Sequence, residues 1–191
     1  MEIVFATGNL HKIKEAVKIL PSTIKILNLG SIGCQEELPE TGNSLLANAT
    51  QKARYVSDKY GVNCFSDDSG LEVFALDGRP GVYSARFAGP QADAIMNNTK
   101  LLIEMNGIAD RRAVFHTVIA LILNGEKYLF EGLIQGNITE KLIGENGFGY
   151  DPLFIPEGYE KTFAQMEEEK KNSLSHRAIA LKKLAEFLKT V

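Results

Sequence analysis

Short apolar runs alternate with longer amphipathic stretches through the first 65 residues, and that alternation confines the chain to a mixed α/β architecture. Ile3-Val4-Phe5-Ala6, Thr23 to Leu29 and Val62 to Phe65 have the length and composition of strands. After the first run, Ile13, Ala16, Val17 and Leu20 recur at helical spacing, and Pro21 closes the segment. After the second, Leu45, Ala49, Ala53, Val56 and Tyr60 mark the apolar stripe of a helix capped by Ser44 and stopped by Gly61. Leu71 to Leu76 reads as extended and Asp77-Gly78-Arg79-Pro80-Gly81 as a turn. Ala92 to Met105 reads as a helix turning Ile95, Thr99, Leu102 and Ile103 inward. Ala113 to Leu123 and Lys127 to Ile134 form a hairpin through Asn124-Gly125-Glu126. Gly144 to Pro152 is a glycine-rich aromatic loop, and Ser175 to Leu188 a final amphipathic helix.

A chain of 191 residues without linker or repeat fits one domain over 1–191. Its 21 Lys and Arg against 24 Asp and Glu, with no long basic run, give no footprint for a nucleic acid backbone. Cys34 and Cys64 form no CxxC pair and suggest buried thiols in a reducing compartment. The longest strongly apolar run, Val118 to Leu123, is far short of the roughly 20 residues that cross a bilayer. Met1 to Thr7 is too quickly polar for a signal peptide, so a cytoplasmic location is expected.

Two separated segments carry the chemistry. Thr7-Gly8-Asn9-Leu10-His11-Lys12 stands at the first strand-to-helix turn, where hydroxyl, amide, free backbone N–H groups and an ammonium suit a polyphosphate. Ser66-Asp67-Asp68-Ser69-Gly70 stands at a later strand end, and its adjacent carboxylates suit a divalent metal and a water molecule. The same residue types are favourite turn formers, and Asn9 is equally a helix cap. Glu40, with Glu36 and Glu37 nearby, offers a second metal ligand. Asn48 and Lys52 lie four apart on one helix face that could extend the phosphate grip, although a solvated surface is the usual meaning of such a pair. In Gly147-Phe148-Gly149-Tyr150-Asp151-Pro152, an aromatic face for a nucleobase and a hydrophobic loop anchor are balanced readings. Glu167 to Lys171 reads mostly as a solvated charge run, and Ser175-His176-Arg177 opens the last helix. His116 reads as a core histidine and His11 as solvent-facing.

Taken in order, Thr7-Gly8-Asn9…Lys12, Glu40-Thr41-Gly42, Asp67-Asp68-Ser69-Gly70-Leu71, Pro80 to Arg86, Phe148-Gly149-Tyr150-Asp151-Pro152 and Ser175-His176-Arg177 closely resemble the inosine/xanthosine triphosphate pyrophosphatase family over essentially the whole chain. The resemblance implies an elongated mixed β-sheet flanked by helices, with two lobes and a central active-site cleft, and a homodimer. It implies hydrolysis of ITP, dITP and XTP to the monophosphate and pyrophosphate with magnesium. By position, Asp68 matches the general base and metal-associated acid, and Glu40 the second metal ligand with Glu37 in reserve. Thr7, Gly8, Asn9, Leu10, His11, Lys12 and Lys52 match the phosphate grip, and Ser69 a substrate contact. Phe148, Gly149, Tyr150, Asp151, Lys171, His176 and Arg177 match the nucleoside-binding set. A pyrophosphatase for pyrimidine or other modified triphosphates and a non-catalytic nucleotide-binding regulator are the competing readings.

Overall fold

A computed structural model describes residues 1–191. Six strands form one mixed sheet in the order β2-β1-β3-β4-β5-β6. They are β1 (Glu2–Phe5), β2 (Lys25–Leu27), β3 (Cys64–Val73), β4 (Arg112–Leu123), β5 (Glu126–Ile138) and β6 (Phe154–Pro156). The helices are α1 (Leu10–Ile19), α2 (Leu45–Tyr60), α3 (Ala94–Glu104), α4 (Glu168–Leu174) and α5 (His176–Leu188). β1 pairs in parallel with β2 on one side and β3 on the other, while β5 and β6 are antiparallel. No helix is long and apolar enough to cross a membrane.

The chain divides into two compact units, and the long strands β3, β4 and β5 contribute residues to both. Unit 1 comprises Met1–Asp68, Thr117–Gly132 and Arg177–Val191. Its core gathers Ile3 and Phe5 of β1, Ala16 of α1, Phe65 of β3, Ile119 and Leu121 of β4, and Leu181 and Leu184 of α5. The Phe5 and Phe65 rings stack at 4.3 Å, which locks β1 against β3 in register. Unit 2 comprises Ser69–His116 and Leu133–His176. Leu71, Leu101, Met105, Phe115, Phe154 and Phe163 pack at its centre.

Local signals set the helix ends as their chemistry dictates. The Ser44 side chain accepts the Ala47 N–H, and Gly61 takes the left-handed conformation that ends α2. Asn124 and Gly125 both have positive φ, as a tight hairpin turn between β4 and β5 requires. Four expectations change. The acidic pair and the run from Leu71 belong to one ten-residue strand, so Asp67-Asp68 sits mid-strand and not at a strand end. Apolar neighbours on both sides of the pair continue the pairing straight through it. On α3, Ile95 and Ile103 are exposed and Asn97, Asn98 and Leu101 are buried instead, because two asparagines that bond backbone carbonyls out-compete the isoleucines for the inner face. Val17 faces solvent on α1. The charge run from Glu168 folds as α4 and buries Lys171.

Gly136 of β5 lies against β6 so closely that a Cβ there would stand 2.3 Å from the Ile155 carbonyl oxygen. We expect Gly136→Ala to cost about 1–3 kcal/mol through overpacking. Urea unfolding should show a lower midpoint, and an unchanged midpoint would remove this close approach from the account.

Candidate active site

The parallel register that pairs Phe5 with Phe65 carries the chain on so that Thr7, just past the carboxyl end of β1, comes level with Asp67 in the middle of β3. That is where open α/β sheets bind ligands, at the strand from which successive connections leave in opposite directions. Side chains alternate along β3, so Asp67 and Asp68 point to opposite faces of the sheet. Asp67 points with Phe65 toward α1 and α5, and Asp68 points with Ser66 toward α2.

On the first face, Lys12 Nζ donates to Asp67 Oδ1 at 3.0 Å, and Arg177 Nε donates to Asp67 Oδ2 at 3.1 Å. Arg177 Nη1 also donates to Glu15 Oε2 at 2.5 Å. Asp67, Glu15 and Arg177 are all buried. Burial alone would push the Asp67 carboxyl up, but Lys12, Arg177 and Lys52 outweigh it and hold it well below the usual aspartate range. On the second face, Asn48 Nδ2 donates to Asp68 Oδ2 at 3.1 Å. Burial pushes the Asp68 carboxyl up and the charge of Glu40 pushes it further, against the opposing pull of Lys52 and Lys12. Lys52 Nζ bridges the two, donating to Glu40 Oε1 at 2.5 Å and to the Asp67 carbonyl at 2.7 Å. Neighbouring carboxyls of one strand are thus driven in opposite directions, a separation of the kind that marks a candidate site for acid–base chemistry.

The turn after β1 differs from its expected form. Asn9 Oδ1 accepts the backbone N–H groups of His11 and Lys12, so the cap reading of Asn9 is realised and those two amides are occupied. Thr7 is buried, with its Oγ1 accepting the Asn9 N–H. Leu10 and His11 are exposed, and Lys12 reaches back to Asp67. Asn48 and Lys52 are buried and bonded to the acidic strand, not solvated.

Unit 2 holds a second constellation. Gly147 has a left-handed backbone, and a Cβ there would lie 2.1 Å from Asp151 Oδ2, so only glycine lets this loop close. Asp151 Oδ2 accepts the Phe148 N–H at 2.8 Å and Lys171 Nζ at 2.7 Å. Lys171 Nζ stands 4.5 Å from the centre of the Phe148 ring. Asn98 Nδ2 donates to the Gly149 carbonyl at 2.9 Å. The Tyr150 ring turns into the core, with its hydroxyl donating to the Ser84 carbonyl and its pKa raised by burial. His176 stacks on Phe115 at 4.6 Å. Ser69 is half-buried in β3.

The structure therefore brings Lys12, Glu40, Lys52, Asp68 and Arg177 together in unit 1, and Phe148, Gly149, Asp151, Lys171 and His176 in unit 2. Arg177, assigned to the base by its motif, is bonded to the anion hub of unit 1. Sequence reasoning passed over Asp67 as the hub, with Glu15, Asn48, Asn98 and Phe115 as supports. Glu15 lies three residues after Lys12 on α1, and that helical spacing was the available signal. No group of three or more His, Cys, Asp or Glu side chains converges to cage a metal. A magnesium ion needs no such cage, because it takes one or two carboxylates and fills its sphere with water and phosphate. Glu40 and Asp68 are oxygen donors of that kind, and the lysines beside them are already paired with acids.

The Ham1 family model matches residues 3–187. The chain is 51% identical over 189 residues to a dITP/XTP pyrophosphatase of Flavobacterium psychrophilum, covering 99% of this chain and all of the relative. It is 50% identical over 188 residues to a dITP/XTP pyrophosphatase of Porphyromonas gingivalis, covering 98% and 97%. Among solved structures, the fold is similar to a Ham1 protein of Staphylococcus aureus at TM-score 0.91, with 38% identity and coverage of 100% and 99%. It is similar to a HAM1 protein of Coxiella burnetii at TM-score 0.93, with 35% identity over the whole of both chains.

The two aspartates should respond oppositely to loss of charge. Asp67→Asn leaves the half-buried Lys12 and buried Arg177 charges under-compensated, and should cost about 3–5 kcal/mol at neutral pH. The folded pKa of Asp67 lies below its unfolded value, so its contribution is complete above the ordinary aspartate range and is lost as pH falls. The gap between wild type and Asp67→Asn should accordingly shrink in acid. Asp68 has a raised folded pKa, so its ionised form costs stability above that range, and Asp68→Asn should hold or raise the unfolding midpoint at neutral pH. Equal destabilisation by both would contradict the assignment.

Proposed function

The chain belongs to the Ham1 family, and from that premise we propose how its residues divide the work of hydrolysing non-standard purine nucleoside triphosphates. It is a nucleoside triphosphate pyrophosphatase, releasing the monophosphate and pyrophosphate from ITP, dITP and XTP. The observation that carries the residue assignment is Asp68: a buried carboxyl with a raised pKa, oriented by Asn48, in the same strand as an aspartate held ionised.

Asp68 accepts a proton from the attacking water. The water oxygen forms a bond to the α-phosphorus as the bond from that phosphorus to the bridging oxygen breaks, and pyrophosphate departs. Lys12 and Lys52 each keep N–H donors beyond their carboxylate bonds, and these stabilise charge on the leaving group. Magnesium, held by Glu40 and Asp68, supplies Lewis-acid polarisation of the phosphate oxygens when bound. Arg177 acts by keeping Asp67 ionised, and thereby keeps Lys12 in place.

The residues of unit 2 take the base. The half-buried Phe148 ring offers a face for stacking with Lys171 beside it, and His176, stacked on Phe115, supplies a further polar group in the same unit. Hypoxanthine and xanthine present an O6 acceptor and an N1–H donor, whereas adenine reverses both. A donor aimed at O6 leaves unpaired groups opposite adenine, which gives discrimination of roughly 10⁴. Arg177 is oriented by Asp67 and Glu15, and Lys171 by Asp151, and these two with His176 are the donors assigned to the base. The proposal also takes the enzyme as a cytoplasmic homodimer that binds neither nucleic acid nor membrane. The exposed Ile95 and Ile103 on α3 support the dimer by offering apolar surface.

Asp68→Asn should lower pyrophosphate release from ITP by at least about 10³-fold, while affinity for a non-hydrolysable ITP analogue stays within about threefold. A near-normal rate would remove Asp68 from the base role. Wild-type enzyme should prefer ITP and XTP over ATP and dUTP, and a preference for dUTP would overturn the purine assignment.

A further inference from the structure

The segment that carries Glu40 has no regular secondary structure of its own, yet it is bonded along the length of α2. At its far end, three donors converge on one oxygen of Glu36. Tyr60 Oη and Lys59 Nζ each donate to Glu36 Oε1 at 2.6 Å, and Tyr55 Oη does so at 3.1 Å. The Lys59 ammonium stands 5.3 Å from the centre of the Tyr55 ring and 5.6 Å from that of Tyr60, so two aromatic faces and one carboxylate enclose it. The hydrogen bonds from Lys59 and Tyr60 hold the Glu36 carboxyl well below the usual range.

At the near end, Thr41 exchanges two bonds with Gln51, its N–H donating to Oε1 and its Oγ1 accepting from Nε2, each at 2.9 Å. The Gly42 N–H donates to Asn48 Oδ1 at 2.8 Å, and the same Asn48 donates to Asp68. A Cβ on Gly42 would lie 2.6 Å from the Ala47 Cβ, so the segment presses directly on the first turn of α2. The anchors run in reverse order along the helix: Glu36 at its last turns, Thr41 in the middle, Gly42 at the start.

Lengths agree with this fastening. The anchor points on α2, from Asn48 to the centre of the Tyr55–Tyr60 group, are about ten residues apart, or roughly 15 Å of helix. Six residues from Glu36 to Gly42 span at most about 20 Å when fully extended. The segment is long enough to reach both anchors, and Glu40 sits inside it between two bonded ends.

We propose that Glu36, held by Tyr55, Lys59 and Tyr60, is a positioning residue that anchors the far end of this segment and so fixes Glu40 beside Asp68 for a divalent cation. The proposal deepens, and rests on, the reading of Glu40 as a metal ligand. Releasing the far anchor gives Glu40 freedom it lacks in the fastened segment, and the cost appears as weaker metal binding. Glu36 touches neither the cation nor the substrate.

The test is Mn²⁺ binding, followed by electron paramagnetic resonance of the free ion, with a non-hydrolysable ITP analogue present. Glu36→Ala should weaken Mn²⁺ affinity about fivefold and raise the magnesium concentration needed for half-maximal kcat by a similar factor. Affinity for the analogue without metal should not change. Tyr55→Phe with Tyr60→Phe removes two of the three donors without disturbing the fold's packing and should show the same effect at smaller size. If Glu40→Gln loses Mn²⁺ affinity while both anchor changes leave it at the wild-type value, the proposal is overturned and the role of Glu40 stands. If Glu40→Gln itself binds Mn²⁺ normally, the metal-ligand reading fails and this inference falls with it.

Discussion

A single buried carboxylate organises unit 1. Asp67 lies mid-strand in β3, with Lys12 of α1 on one oxygen and Arg177 of α5 on the other, while Lys52 of α2 bonds its backbone carbonyl. Three segments distant in sequence meet there, at positions 12, 52 and 177. Burying such a group is costly unless it is paired and fully hydrogen-bonded, and here the pairing is what joins the helices to the sheet. Glu15 closes the network by accepting from a second donor of Arg177, so the guanidinium is shared between two carboxylates.

The asymmetry between Asp67 and Asp68 follows from strand geometry. Consecutive residues face opposite sides, so one carboxyl meets the cations of α1 and α5 while its neighbour meets the amide of Asn48 and the negative charge of Glu40. Repulsion between adjacent acids, a liability in a turn, becomes a device once the sheet separates their environments. Asp67 is committed to the cations around it, and Asp68 is left with a raised affinity for a proton.

Much of this was legible in the sequence and some was not. The β-α-β-α-β order of the first 65 residues, the Ser44 cap, the Gly61 stop and the hairpin at Asn124-Gly125 were readable because they depend on local chemistry. The placement of Asp67-Asp68 at a strand end was not correct, since Asp and Ser favour turns by propensity and only pairing across the sheet holds them in a strand. Lys171 and Lys52 read as surface charges for the same reason: burial of a lysine depends on a carboxylate or carbonyl far away in sequence, here Asp151 or Glu40 and Asp67. Arg177 shows the same dependence, since its bonds to Asp67 and Glu15 join residues 110 and 162 positions apart and no local pattern announces them.

What ties fold to function is the claim that two adjacent aspartates hold opposite proton affinities. Carbon-13 NMR of the aspartate carboxyls across pH, with Asp67→Asn and Asp68→Asn to assign the signals, measures this directly. The account predicts that Asp68 titrates above the ordinary aspartate value of about 3.9 and Asp67 below it. Titration of both near that value, or in the reverse order, would contradict it.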